Sequence, residues 1–389
     1  MTTPTCHTTH MGCPCCHGSD IIRDLWVRER TPALNNRLHA TREQALAAPL
    51  GRVALALCRS CGFVFNHDFD DALVRYDKDY NSSRNDSPAY QAHLAETADF
   101  IAASLPRKAG HPGRVLEIGC GDGQFLRYLH EKGMDVCGYD PALPTHPPCP
   151  NGMELHGTCF APESREERYD ALVLRHVLEH IPTPGLFLRE LLSAPSLESS
   201  MVAIEVPDLQ WILDHHAPYD LTYEHCNYFR HESLVNLMNE LGFSEYSFQR
   251  GYGGQYLISI FKRNNSSIIR QITPSEETIF SAMDTAQERL LHELFSHGPV
   301  SIWGASGKGV LLTASLPDST LGQVKRVIDV DRKKQGLFLP GTGLEVCPPD
   351  VLTSVIEPGR VVVMNPVYTD EISRMLEAMG VKTDVTCIA

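Results

Sequence analysis

Residues 115–126 read VLEIGCGDGQFL: an apolar run, a turn with glycine at every second position, then a helical start. Gly119, Gly121 and Gly123 let a backbone pass close to a ligand. Such a turn belongs at the carboxyl end of a strand in a sheet whose strands alternate with helices, and the flanking sequence alternates in that way. RVLEIGC (114–120), DVCGYD (135–140), YDALVLRHV (169–177) and MVAIEVP (201–207) read as strands; GQFLRYLHEKG and PGLFLRELLSA have helical spacing of apolar residues. The pattern predicts a parallel sheet covered on both faces. GGQYLISIFKR (253–263) reads as a later strand of the same unit, antiparallel at the sheet edge.

The turn departs from the dinucleotide form G-x-G-x-x-G, because its third glycine comes one residue early and Glu117 precedes it. Acidic groups suit a ligand bearing ammonium and sulfonium charges better than one bearing a pyrophosphate. Asp140 closes the next strand about twenty residues on, where a carboxylate can accept from ribose hydroxyls.

The 389 residues call for two or three domains at ~150 residues each. The chain divides at changes of character into a Cys/His-rich segment (1–75), the alternating segment (76–265) and a second α/β segment (266–389). A polar stretch (263–276) spans the second boundary and leads into the helical run EETIFSAMDTAQERLLHELFSHG, then VSIWGASGKGVLLTASL (300–316), VKRVIDVD (324–331) and RVVVMNP (360–366). In the first segment, Cys13 and Cys16 form one C-x-x-C pair and Cys58 and Cys61 a second. Two such pairs can give the four thiolates of a structural zinc site, closed to catalysis. Cys15 and His17 are spare donors that could displace Cys16, and free thiols or a redox pair are the other reading. The thirteen cysteines are odd in number and scattered, unlike a secreted disulfide framework. A net charge of -14 disfavours nucleic acid as the main partner. No run approaches the ~20 apolar residues of a membrane span, and MTTPTCHTTHMG lacks the features of a signal peptide. The expected location is the cytoplasm.

The order and spacing of E-x-G-x-G-x-G, the Asp after the next strand and the D-x-x-x-x-x-H-V-L-E-H loop resemble the class I S-adenosylmethionine-dependent methyltransferases. The resemblance implies that Glu117, Gly119, Gly121 and Gly123 line the methionine and ribose side, that Asp140 holds the ribose, and that Arg175 and His176 sit beside the cofactor. His180 reads as a structural loop residue. The expected fold class is α/β: an N-terminal zinc-binding lobe, a central Rossmann-like class I methyltransferase domain and a smaller C-terminal α/β domain that binds substrate.

That three-part architecture is similar to the zinc-containing deoxysugar C-methyltransferases, which methylate a nucleotide-linked keto sugar at the carbon next to the ketone. YDKDYNSSRNDS (76–87), YEHCNYF (223–229), GYGGQYL (251–257), IWGASGKG (302–309), DVDRKKQGLFLPGT (329–342) and NPVYTDEI (365–372) each resemble a segment of that family, in the same order. Carbon methylation there needs a base for the proton beside the ketone and donors for the developing enolate. The resemblance implies His225 as base, with Glu224 orienting it or sharing its proton; a loop His capping the next helix is the bland alternative. The family has Tyr two residues before the Glu. Here Thr222 holds that place and Tyr223 is displaced by one, so Tyr76 or Tyr80 become alternative enolate donors. The departure leaves open another small natural-product acceptor, methylated at carbon, nitrogen or oxygen. An inactive zinc-containing binding protein is a third reading. In the last segment, Gly304 and Lys308 of GASGKG read as a phosphate cradle or a plain strand–helix turn. Asn365 ends a strand beside it, and Lys333, Lys334 and Gln335 follow the neighbouring strand.

Overall fold

The structure is a computed structural model and describes residues 12–75, 87–105, 112–144, 147, 152–161, 167–264, 277–296, 298–354 and 359–388. Tyr76 and Tyr80 lie outside the described residues. The first segment folds around an antiparallel sheet in which β1 (Ile21–Pro32) pairs with β2 (Leu50–Cys58), and β2 with β3 (Val64–Asn66). Cys58 and Cys61 sit on the turn between β2 and β3. Gly62 makes that turn with φ +71°, where a Cβ would be strained.

In the central domain β4 (Arg114–Ile118), β5 (Asp135–Tyr139), β6 (Glu154–His156), β7 (Ala171–Arg175) and β8 (Met201–Pro207) run parallel. Alternate residues of a strand face opposite sides, and burial follows that rule. Leu116, Leu172 and Leu174 pack on the side that also holds Phe63 and Phe229. Val115 and Val173 face the side covered by the helices Pro88–Ser104 and Gln124–Glu131. Each fully buried Leu or Val contributes about 1.5–3 kcal/mol, and residues on both faces explain why these strands read as unbroken apolar runs.

Two findings differ from the sequence expectation. The two-residue β9 (Asn227–Tyr228) leaves the central domain and pairs with β3, so the lobe's sheet runs β1-β2-β3-β9. The lobe expected over 1–75 is therefore completed by residues from the candidate site. Beyond it, β10 (Phe243–Gly251) and β11 (Tyr256–Arg263) extend the central sheet, whose order is β10-β11-β8-β7-β4-β5-β6. β11 is antiparallel to β8, as expected for 253–263, but β10 lies outside it and takes the edge. An edge strand buries little of either face, and the half-buried pattern of FSEYSFQRG hid it from the sequence reading.

The last domain is a parallel sheet of β12 (Val300–Trp303), β13 (Val324–Ile328), β14 (Val346–Cys347), β15 (Arg360–Val363) and β16 (Val385–Cys387), in the order β14-β13-β12-β15-β16. The helix Glu277–Phe295 leads into it. The lobe touches this domain too, through a bridge between His39 and Phe338. Among the described residues no helix is long and apolar enough to cross a membrane.

Candidate active site

β4 is the strand at which the central sheet reverses its order, between β7 and β5, the place where such sheets bind ligands. Glu117 lies in β4, 1% exposed, and its Oε2 has no hydrogen-bond partner. Burial pushes its carboxyl up to about 8, against the pull of Arg175. Above it Gly119, Gly121 and Gly123 all have positive φ. A Cβ on Gly119 would stand 2.6 Å from Val177, whereas one on Gly121 would meet nothing within 4 Å. The turn is thus packed on one flank and open on the other. Asp140 at the end of β5 accepts from the Gly121 N–H at 2.9 Å and the Ala142 N–H at 2.8 Å. Each carboxylate oxygen keeps a lone pair for a further donor.

The opposite wall rises from the end of β7. Arg175 donates through Nε to Glu205 Oε2 at 2.6 Å and covers the Phe125 ring at 4.2 Å. His176 has φ +52°, a strained value for a residue with a Cβ. Its Nδ1 lies 3.1 Å from Glu179 Oε1 and its Nε2 3.3 Å from Glu205 Oε1. Burial lowers its affinity for a proton, but these two carboxylates outweigh that and raise its pKa to about 9. His93, from the helix Pro88–Ser104, places Nε2 2.7 Å from Glu205 Oε1. Burial disfavours ionised Glu205, yet Arg175, His176 and His93 hold its carboxyl well below the usual range. Tyr90, Tyr252 and Tyr256 enclose His93.

The segment 224–228 lies against the loop that follows β7. His180 Nδ1 sits 2.9 Å from the Glu224 carbonyl. Cys226 donates to the Glu179 carbonyl, and Asn227 Nδ2 donates to the carbonyls of Leu178 and Ile181. This lacing puts the ring nitrogens of His180 and His225 and a Glu179 carboxylate oxygen within 4.8 Å of one another. The His180 and His225 rings meet edge to face at 4.8 Å.

The other residues expected at the site are placed differently. Glu224 Oε1 accepts from the Asn35 N–H at 3.0 Å, which ties it to the lobe. Tyr223 is buried against Phe69, and its hydroxyl holds the backbone of Asp70, accepting from its N–H at 2.7 Å. Burial raises its pKa to about 12. That phenol is used in the lobe's core. Thr222 is buried, and its Oγ1 accepts from the His225 N–H at 3.3 Å.

Lys308 and Asn365 converge on one residue of the central domain, Gln255. Asn365 Nδ2 donates to Gln255 Oε1 at 2.9 Å, and Gln255 Nε2 returns a bond to Asn365 Oδ1 at 3.0 Å. Lys308 Nζ lies 3.3 Å from the same Gln255 oxygen, 2.8 Å from Asp220 and over the Trp211 ring. Gly304 turns out of β12 with φ +124°, and the next N–H, of Ala305, donates to Asp329 at 3.0 Å. Lys334 also bonds Asp329, Gln335 donates to its carbonyl, and Lys333 is exposed.

The four thiols of Cys13, Cys16, Cys58 and Cys61 lie within 4.8 Å of one another, with the pairs Cys13–Cys61 and Cys16–Cys58 each at 3.6 Å. Cys15 and His17 are not in this group. Crowding against Cys16 and Cys13 pushes the thiols of Cys13 and Cys61 up. Sulfurs so placed can hold one metal ion. Sequence reading missed Glu205, His93 and Glu179 as site residues. An acid inside the apolar run MVAIEVP was the available signal, since a buried charge needs partners.

Residues 90–247 match the family described as a methyltransferase domain, and residues 277–385 match a C-methyltransferase C-terminal domain. The chain thus carries a methyltransferase domain followed by a C-methyltransferase C-terminal domain. A ubiquinone biosynthesis O-methyltransferase of Azorhizobium caulinodans is 32% identical over 108 residues, which cover 23% of this chain and 42% of that protein. The chain thus spans less than half the length of that relative. Among solved structures, the 1,6-didemethyltoxoflavin-N1-methyltransferase of Burkholderia thailandensis is 18% identical, covering 45% of this chain and 79% of its own, at a TM-score of 0.34. The magnesium protoporphyrin IX methyltransferase of Synechocystis is 16% identical, covering 45% and 84%, at 0.35.

Proposed function

We propose that the enzyme transfers a methyl group from S-adenosylmethionine to the carbon next to the ketone of a nucleotide-linked deoxysugar, with His225 as the base. The observation that carries this reading is the position of His225, held against the loop that leaves β7 beside the glycine turn. The match of residues 277–385 to a C-methyltransferase domain supports carbon as the acceptor.

The residues present fit the donor. A buried carboxyl with an orphaned oxygen, a turn open at Gly121 and the carboxylate of Asp140 form an acidic cradle for a cationic ligand with ribose hydroxyls. When bound, S-adenosylmethionine supplies an electrophilic methyl group. Glu117 and the three glycines would hold its amino-acid end, Asp140 its ribose, and Arg175 and His176 would wall the pocket. His225 removes the proton beside the ketone, and the electron pair of that C–H bond ends in the new carbon–carbon bond. A positioned base of this kind is typically worth ~10²–10⁴ in rate. Lys308, Gly304 and Asn365 would meet the nucleotide's diphosphate, for which Lys308 must exchange Asp220 for phosphate. The four cysteines would hold a structural zinc, since sulfurs ~2.3 Å from one tetrahedral ion stand close to the spacing seen here. We place the protein in the cytoplasm, where thiols stay reduced.

A second reading, methylation of carbon, nitrogen or oxygen on another small metabolite, is favoured by Tyr223, whose hydroxyl is bound to Asp70. One experiment separates the two. Holoenzyme with S-adenosylhomocysteine and a panel of nucleotide-linked keto deoxysugars is kept in D₂O. One deuterium should enter beside the ketone, and His225→Asn should abolish that exchange. Absence of exchange and of methyl transfer with every sugar, together with turnover of an unrelated scaffold, would reject the sugar reading. Elemental analysis should return one zinc per chain, and a substoichiometric value in intact protein would reject the four-cysteine site.

A further inference from the structure

The sequence pairs His225 with its neighbour Glu224, but the fold offers it another carboxylate. Glu179 is 1% exposed. One oxygen, Oε1, is held by His176, and the other, Oε2, is buried with no hydrogen-bond partner. A buried carboxylate oxygen left bare is costly, and its surroundings show what it could receive. The lacing of Cys226 to the Glu179 carbonyl and of Asn227 to Leu178 and Ile181 brings the His225 ring within 4.8 Å of that carboxylate.

We propose that Glu179 is the positioning carboxylate of the base: its Oε2 receives the N–H of His225 when His225 takes the acceptor's proton. This rests on the reading of His225 as the base. One ring nitrogen gains the proton while the other donates to Glu179, so the imidazolium forms beside a charge already in place. The proton then leaves to solvent from His225, and no group is oxidised or reduced.

The surrounding charges make Glu179 ready for that role. Arg175 answers Glu205, and Glu205 answers His176, which also answers Glu179. Burial raises the Glu179 carboxyl, but the His176 hydrogen bond and the charges of His176, His180 and His225 outweigh it and keep it ionised. Among the described residues, His180, directed at the Glu224 carbonyl, His93, on the far side of Glu205, the Cys226 thiol, which donates to the Glu179 carbonyl, and Glu224 from the base's own segment also face this point.

The test reads the titration of His225 itself. The zinc-loaded protein with S-adenosylhomocysteine is labelled at histidine, and the His225 resonance is assigned by its loss in His225→Asn. In Glu179→Gln the His225 midpoint should fall by about one pH unit or more, and in Glu224→Gln by less. With an acceptor in hand, Glu179→Gln should lower the kcat plateau roughly tenfold or more and move its acid limb to lower pH; a purely structural loss would lower the plateau and leave the limb in place. Binding of S-adenosylhomocysteine checks the fold, and Glu179→Asp, which keeps the charge but withdraws the oxygen, should give an intermediate midpoint if Glu179→Gln is insoluble. An unmoved midpoint in both Glu179 variants, or a larger fall in Glu224→Gln, would overturn the proposal. Because the resonance needs no acceptor, a lowered midpoint without turnover of any sugar would sink the substrate reading and leave this one standing.

Discussion

The two glycine-rich turns of this chain stand on the same scaffold and face opposite tasks. Each follows the strand at which its sheet reverses order, β4 in the central domain and β12 in the last. Each is clasped by an aspartate from the next strand: Asp140 takes the Gly121 amide at 2.9 Å, and Asp329 takes the Ala305 amide at 3.0 Å. Each aspartate also caps its own loop, at Ala142 and Asp331. What differs is charge. Two residues before the first glycine stands Glu117 in one strand and Ile302 in the other. Asp329 is already answered by Lys334 at 3.2 Å, and Lys308 leaves its turn for Asp220. The central turn keeps a buried carboxyl with an oxygen that no group among the described residues answers; the last turn is saturated by the chain's own lysines.

That contrast can be broken most directly at the two aspartates. Asp329→Asn should strand Lys334 in a buried site and lower Tm by roughly 5–15 °C, with S-adenosylhomocysteine affinity unchanged. Asp140→Asn should do the reverse, weakening that affinity by about tenfold or more with little change in Tm. Calorimetry and thermal melts of both variants would show whether the roles are interchanged, and a cofactor defect in Asp329→Asn would refute the division.

A smaller effect sharpens the role of Glu117. Its carboxyl is raised from 4.5 to about 8 by burial. A carboxyl raised on folding gives stability that is fully present below its unfolded pKa and is lost as pH rises through the folded value. Wild-type Tm should therefore decline, relative to Glu117→Gln, between about pH 5 and pH 8.5, and the variant should be the more stable protein at pH 9. Parallel melting curves at all pH values would remove Glu117 from the account. The smallest effect is expected at Lys308. Lys308→Met should weaken a nucleoside diphosphate by about tenfold or less while sparing the free nucleoside. Equal loss for both ligands, or none, would leave the last turn as a docking piece.

Much of the scaffold was legible because strands buried on two faces show as unbroken apolar runs, and β4, β7 and β8 are of that kind. β9 and β10 were not. A two-residue strand has no period, and an edge strand has little apolar pattern. The Cys pairs were legible from spacing alone, whereas the surroundings of His225 were not. Adjacency in sequence suggested Glu224, but the chain bends at Tyr223 and Glu224, and the Glu224 carboxylate reaches Asn35 instead. The carboxylate near His225, that of Glu179, comes from a loop far earlier in the chain, and the hydrogen bonds that lace 224–227 to that loop reveal it.

The pairing of β9 with β3 also sets where this protein can be cut and exchanged. A core beginning after the Cys-rich lobe would carry the segment that holds His225 on a strand with no neighbour, and a lobe expressed alone would offer the open edge of β3 to any passing chain. Lobe and catalytic domain must therefore be inherited, and swapped in chimeras, as one block.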